Sequence, residues 1–266
     1  MLEMTDVATW PDLAGAVSIA RHGPQPFVIT GAARADIGLL LLLGFLVIRG
    51  EVAEPLSLAA GSLLRYLPLL LMPPEAEGVV GYRGEAEAFN FEHHRASVTQ
   101  ALQRLLQFAD AANAPGIALQ SAPIANCLPG LLGHHALPLL DASVPPRLWI
   151  GNRVTTPAHF DEYHNIACVV CGVRRFTLFP PEQVRNLYIG PLDFAPTGAA
   201  ISMARLDRLD DPRYPRLQEA MAHAQVAELE PGDAIYIPPM WWHHVASLGR
   251  LNALVNYWWK KACVVS

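Results

Sequence analysis

The sequence predicts an all-β core preceded by mixed α/β elements and flanked by peripheral helices. From about residue 116 the chain becomes a succession of short runs rich in Val, Ile, Phe, Tyr and Trp, punctuated by Gly and Pro. That texture belongs to a β-sandwich or barrel. Before residue 116, helical and strand periodicities are mixed. The 266 residues are 52% hydrophobic and only 16% charged, enough to bury a sizeable core and incompatible with general disorder. The expected division is therefore residues 1–115 as N-terminal mixed elements packed on the core, and residues 116–266 as the core itself.

Taken in order, residues 10–20 carry helical spacing of apolar positions, and residues 25–31 read as a short strand ended by Gly31. The run 37–48 is strongly apolar, but about twelve residues cannot cross a bilayer as a helix. Residues 37–75 give no clear period. Residues 97–113 read as an amphipathic helix, with Val98, Ala101, Leu102, Leu105, Leu106 and Ala109 at three- and four-residue steps and Ser97 as N-cap. Strands are expected at 117–120, 147–150, 158–161, 166–170, 174–179, 226–229, 234–237, 243–247 and 251–259, and an insertion with one short helix at 207–224.

Composition narrows the function classes. A formal net charge of −5 argues against a nucleic-acid surface. Four cysteines in a chain this long do not form a disulfide framework. Cys168 and Cys171 lie in an apolar run where strand alternation sends them to opposite faces, so they read as buried structural thiols. Glu3, Asp6 and Asp12 occupy the region where a secretory signal would be basic and then apolar, so a cytoplasmic, non-membrane protein is expected.

Two segments about eighty residues apart carry the chemistry: Thr156-Pro157-Ala158-His159-Phe160-Asp161 and Trp241-Trp242-His243-His244. On a strand, residues two apart share a face, roughly 7 Å apart along the chain, so His159 and Asp161 can reach one metal. A lone His-x-Asp is common; a second segment after a Glu230-Pro231-Gly232-Asp233 turn adds the missing imidazole. Adjacent strand residues face opposite ways, so only one of His243 and His244 can join. Strand parity alone does not choose between them. Two histidines and one carboxylate on one face of a metal suit mononuclear non-haem iron chemistry.

From Thr156 to Trp258 the chain resembles the Jumonji-C, or cupin-like, Fe(II)- and 2-oxoglutarate-dependent dioxygenases, most similarly the branch that contains the asparaginyl hydroxylase of hypoxia-inducible factor. The resemblance rests on Thr156 through Asp161, Asn165, Gly172-Val173-Arg174-Arg175, Leu178-Phe179-Pro180-Pro181, Pro231-Gly232-Asp233, the Trp-Trp-His-His segment and Val255-Asn256-Tyr257-Trp258. It implies a double-stranded β-helix of cupin or jelly-roll type, with His159, Asp161 and His243 as catalytic iron ligands and His244 outside the set. It further implies that Arg174 and Thr156 take the far carboxylate of 2-oxoglutarate, that Asn165 and Asn256 lie near the iron, and that Gln120 and Trp258 line the substrate channel. Fe(II), 2-oxoglutarate as co-substrate and O2 follow. The implied reaction hydroxylates a protein or small-molecule substrate, or demethylates one by hydroxylating an N-methyl group.

Two departures from the family pattern stand out. Ala118 occupies the place of a tyrosine whose hydroxyl helps bind the co-substrate, which raises a second reading: a non-catalytic or weakly active metal-binding cupin module with impaired 2-oxoglutarate binding. The chain also ends at Ser266 without the C-terminal helices that relatives use to dimerise, so the resemblance implies no dimer by that route and leaves the oligomeric state open.

Overall fold

The computed structural model describes residues 66–260, except 130, 131, 133–136, 138, 139 and 197, together with backbone strands at 2–3, 6–9 and 27–30. The helix expected at 10–20, the apolar run 37–48 and most of 37–75 lie outside the described residues. Sixteen strands are described: β1 (Leu2–Glu3), β2 (Asp6–Thr9), β3 (Phe27–Thr30), β4 (Leu67–Met72), β5 (Tyr82–Arg83), β6 (Ala88–Phe89), β7 (Glu92–Ala96), β8 (Gly116–Pro123), β9 (Pro146–Gly151), β10 (Thr155–His159), β11 (His164–Cys171), β12 (Arg174–Phe179), β13 (Gln225–Leu229), β14 (Ala234–Ile237), β15 (Trp242–Ser247) and β16 (Asn252–Trp259). The helices are α1 (Val98–Gln107), α2 (Ile124–Cys127) and α3 (Leu217–Ala222).

A nine-stranded sheet in the order β2-β3-β14-β11-β16-β9-β8-β4-β7 faces a five-stranded sheet in the order β1-β13-β12-β15-β10. Pairing is antiparallel except for the short β1–β13 and β2–β3 contacts. From β10 onward the chain moves back and forth between the two sheets, which gives the cupin jelly roll that the strand pattern and the resemblance anticipate.

The space between the sheets is filled by Ala167 and Val169 of β11, Ile235 and Ile237 of β14, Phe176 and Leu178 of β12, and Leu229 of β13. Each of these buried Val, Leu, Ile and Phe side chains is worth about 1.5–3 kcal/mol. The alternate residues of β11 (Ile166, Cys168 and Val170) point the other way, into a second cluster completed by Val98, Ala101, Leu102 and Leu105 of α1. Being covered on both faces, β11 reads as an unbroken apolar run rather than an alternating one.

Helix α1 starts as expected. The Ser97 hydroxyl accepts the Gln100 N–H, and the Gln100 side chain accepts the Ser97 N–H, a reciprocal cap. It ends at Gln107 rather than running to residue 113, because Leu105 is its last fully buried residue and the backbone then tightens, Ala109 N–H bonding Leu106 O. The expected opposition of Cys168 and Cys171 also fails. A register shift between Val169 and Cys171 resets the alternation, and both thiols pack on the same cluster. Both are free, and burial pushes the Cys168 thiol up to about 12.

Strand β10 is the last strand of the smaller sheet, and its outer edge is covered by backbone. Thr155 N–H donates to Gly78 O (2.8 Å), Val80 N–H to Thr155 O (3.0 Å) and Ser202 N–H to Ala158 O (2.8 Å). Gly78 has φ +73°, and a Cβ there would lie 2.1 Å from Arg153 O, so only glycine allows this close approach. Among the described residues no helix is long and apolar enough to cross a membrane.

Candidate metal centre

His159 is the last residue of β10 and lies opposite His243 of β15 in the strand register. Their rings sit with centroids 4.1 Å apart. The Nδ1–H of His159 donates to Pro157 O at 2.9 Å and that of His243 to Trp241 O at 3.0 Å. A carbonyl only accepts, so each proton is fixed on Nδ1 and each Nε2 lone pair is left free to ligate. Burial, with His243 beside it, pulls the His159 imidazole down to about 4, which keeps it in the neutral form a metal needs.

Asp161 arrives by a different route from the one the strand spacing implies. β10 stops at His159, and Asp161 lies in the loop beyond it, so strand alternation does not place its carboxylate. Two bonds place it instead: the Trp258 indole N–H donates to Oδ2 (3.1 Å), and the Met240 N–H donates to the Asp161 carbonyl (2.8 Å). Met240 adopts φ +68°, a left-handed conformation that a side-chain-bearing residue seldom takes. The carboxylate lies 3.6 Å from His243 Nε2. One ligand atom from each of His159, Asp161 and His243 can be chosen so that all lie within 4.8 Å of one another. This is the separation expected of three donors around one ion.

The three residues line a cavity of about 80 Å³ that also brings together Gln120, Thr156, Asn165, Arg174, Asn256 and Trp258. Apolar Phe176, Val245 and Leu254 complete part of its wall. The Asn256 side chain accepts from the Trp149 indole (2.8 Å) and donates to Asn165 Oδ1 (3.3 Å), so the two buried amides hold each other in place. Arg174 enters from the start of β12, and its Nε is enclosed without a hydrogen-bond partner. Burial pulls its guanidinium down to about 10, which leaves it charged at neutral pH. An enclosed donor on a cation without a partner is costly, and a bound carboxylate would satisfy it.

His244 faces away. It lines a separate cavity of about 570 Å³ on the outer side of the smaller sheet, with Arg175, Thr177 and Asp207. Ala118 does not line the metal cavity and packs with Val154 and Ile201. Sequence spacing missed Trp149, which lines the cavity and bonds Asn256; its alternation with Leu148 and Ile150 was the available signal. It also missed His164, whose Nδ1 lies 2.7 Å from the Tyr236 hydroxyl.

A two-sheet barrel whose interior gathers two histidines and an aspartate defines a cupin with a candidate metal site. The chain belongs to the cupin-like domain family, whose profile matches residues 59–263. It is similar to Jumonji C domain-containing protein 5 of Drosophila melanogaster, 34% identical over 119 residues, covering 44% of this chain and 28% of that protein. It is also similar to lysine-specific demethylase JMJ31 of Arabidopsis thaliana, 34% identical over 113 residues, covering 42% of this chain and 20% of that protein. Human HSPB1-associated protein 1 matches at 34% over 113 residues, with 42% and 22% covered. The matches thus span less than a third of the length of these relatives. They include a Jumonji C domain-containing protein and a lysine-specific demethylase and do not single out the branch of the hypoxia-inducible factor hydroxylase.

Proposed function

We propose that this protein is an Fe(II)- and 2-oxoglutarate-dependent oxygenase that hydroxylates, or through an N-methyl group demethylates, a protein or small-molecule substrate. The observation that carries the reading is the shared cavity: three ligand atoms within 4.8 Å of one another, beside an arginine whose enclosed Nε lacks a partner. His159, Asp161 and His243 would hold the iron. Bound there, the iron would supply activation of O2 and C–H oxidation, coupled to decarboxylation of 2-oxoglutarate to succinate. Arg174, with the Thr156 hydroxyl, would take the far carboxylate of the co-substrate. Asn165 and Asn256 present buried amides near the ligands, and Trp258 orients Asp161 through its indole N–H. The demethylase named among the relatives supports the same chemistry.

The test is succinate formation by the full chain supplied with Fe(II), ascorbate and 2-oxoglutarate, compared with Asp161→Ala. Metal-dependent succinate that disappears in the variant is the expected result; none from the wild type, with or without candidate substrates, overturns the reading. The apolar setting of Ala118, which offers no hydroxyl to the co-substrate, favours a second reading, a metal-binding module with weak 2-oxoglutarate affinity. Calorimetry separates the two: heat of 2-oxoglutarate binding at micromolar to millimolar concentration supports the enzyme, and none at millimolar supports the module.

A further inference from the structure

Arg147 stands on β9 directly opposite Asn256, on the face of the strand that also carries Trp149. Trp149 and Asn256 both line the metal cavity, so Arg147 sits one strand step from it. It is half-buried and held from two sides. Its Nη1 donates to both the carbonyl and the hydroxyl of Ser121, each at 3.1 Å. Ser121 itself is held at φ +49° in a bulge of β8. The guanidinium carbon lies 5.8 Å from the centre of the Trp258 ring, and the same indole bonds Asp161 at 3.1 Å. Among the described residues Arg147 has no carboxylate partner; unlike the other such arginines apart from Arg174, it stands beside residues that line the metal cavity.

Both bonds to Ser121 use Nη1, and among the described residues nothing accepts a hydrogen bond from the Nε and Nη2 edge. That edge is the fork that takes a carboxylate through two parallel hydrogen bonds. The guanidinium is already oriented, so a ligand would spend little entropy in ordering it. Resting on the oxygenase reading above, we propose that the primary substrate is an acid, its carboxylate held by Arg147 a few bonds from the carbon that is oxidised. The shared chemistry is a carboxylate on a short chain, supplied either by an aspartyl or glutamyl side chain of a peptide or by a free small acid. Arg174, on β12 with its own unpartnered Nε, remains the place for the co-substrate, so the two carboxylates have separate cations.

The experiment follows quenching of intrinsic tryptophan fluorescence, to which Trp149 and Trp258 at the cavity contribute among six tryptophans, in the full chain loaded with Zn(II) and saturating 2-oxoglutarate, which prevents turnover. The probes are an aspartate-containing peptide with its asparagine counterpart, and N-acetylaspartate with N-acetylasparagine. At least tenfold tighter binding of the acid than the amide in one pair is expected, and the pair that shows it names the source. Arg147→Gln reduces that preference to within twofold, and Arg147→Lys restores part of it. Arg175→Gln, which removes an exposed arginine on the outer face of the sheet, keeps it tenfold. Equal binding of acid and amide by the wild type, or a preference that survives Arg147→Gln, overturns the proposal. If Zn(II) and 2-oxoglutarate fail to bind, the oxygenase reading falls, and the same acid–amide comparison on the metal-free chain still decides the role of Arg147.

Discussion

His243 and His244 are neighbours on β15, and the same strand gives them opposite circumstances. His243 turns inward, its Nδ1–H bonded to Trp241 O and its Nε2 3.6 Å from the Asp161 carboxylate. His244 turns outward into a larger cavity, with an enclosed Nδ1 that has no partner. His243 is buried and His244 half-buried, but exposure alone does not make a ligand. The difference is orientation: a backbone carbonyl fixes the tautomer of one ring and aims its lone pair at two other donors, and nothing does so for the other. A ligand is defined by that geometry more than by residue type.

The contrast can be broken most sharply by deleting each imidazole in turn. His243→Ala is expected to weaken metal binding at least about 100-fold, more than loss of an outer partner would, while His244→Ala stays within about twofold, as read by metal titration calorimetry. Equal effects would remove the distinction. The next effect concerns what aims the third ligand. Trp258→Phe keeps the aromatic face and loses the N–H to Asp161, and metal affinity should fall about tenfold. An unchanged affinity would leave the Met240 bond as the sole positioner.

A pH effect is shared by both sides of the strand. In metal-free protein, burial holds His159 and His244 each down to about 4 against 6.5 for a free imidazole. Below pH 6.5 the unfolded chain therefore takes up protons that the folded chain refuses until about pH 4. Stability is full above 6.5, falls as pH drops through this window and levels off below it. Urea midpoints at pH 7.5 and 4.5 should show the drop, and His244→Leu should lessen it. The smallest effect is at neutral pH, where His244→Leu removes an enclosed group without a partner. It is expected to raise stability by about 1 kcal/mol, measured as a higher midpoint. A lower midpoint would mean that the outer cavity needs the imidazole.

The β core was legible because each strand from β8 onward lies within about three residues of an expected run of β-forming side chains, β8 and β10 being the least well bounded. The nine residues singled out for the site come together in one cavity. Spacing could not reveal how Asp161 is held, because its two partners, Trp258 and Met240, come from segments far along the chain. The choice of His243 over His244 came from the resemblance to a family and not from strand parity. The parity of Cys168 and Cys171 was misread because a bulge leaves no mark in an apolar run.

The backbone cover along β10 has a kinetic consequence. His159 ends that strand and Asp161 follows it, whereas His243 sits on β15 between two strands. Fraying of β10 would therefore release two donors together and leave the third in place. Departure of a bound ion should then be paced by rupture of the hydrogen bonds that join β10 to Gly78, Val80 and Ser202, so that chelator-driven release and amide exchange at Thr155, Val80 and Ser202 share one rate.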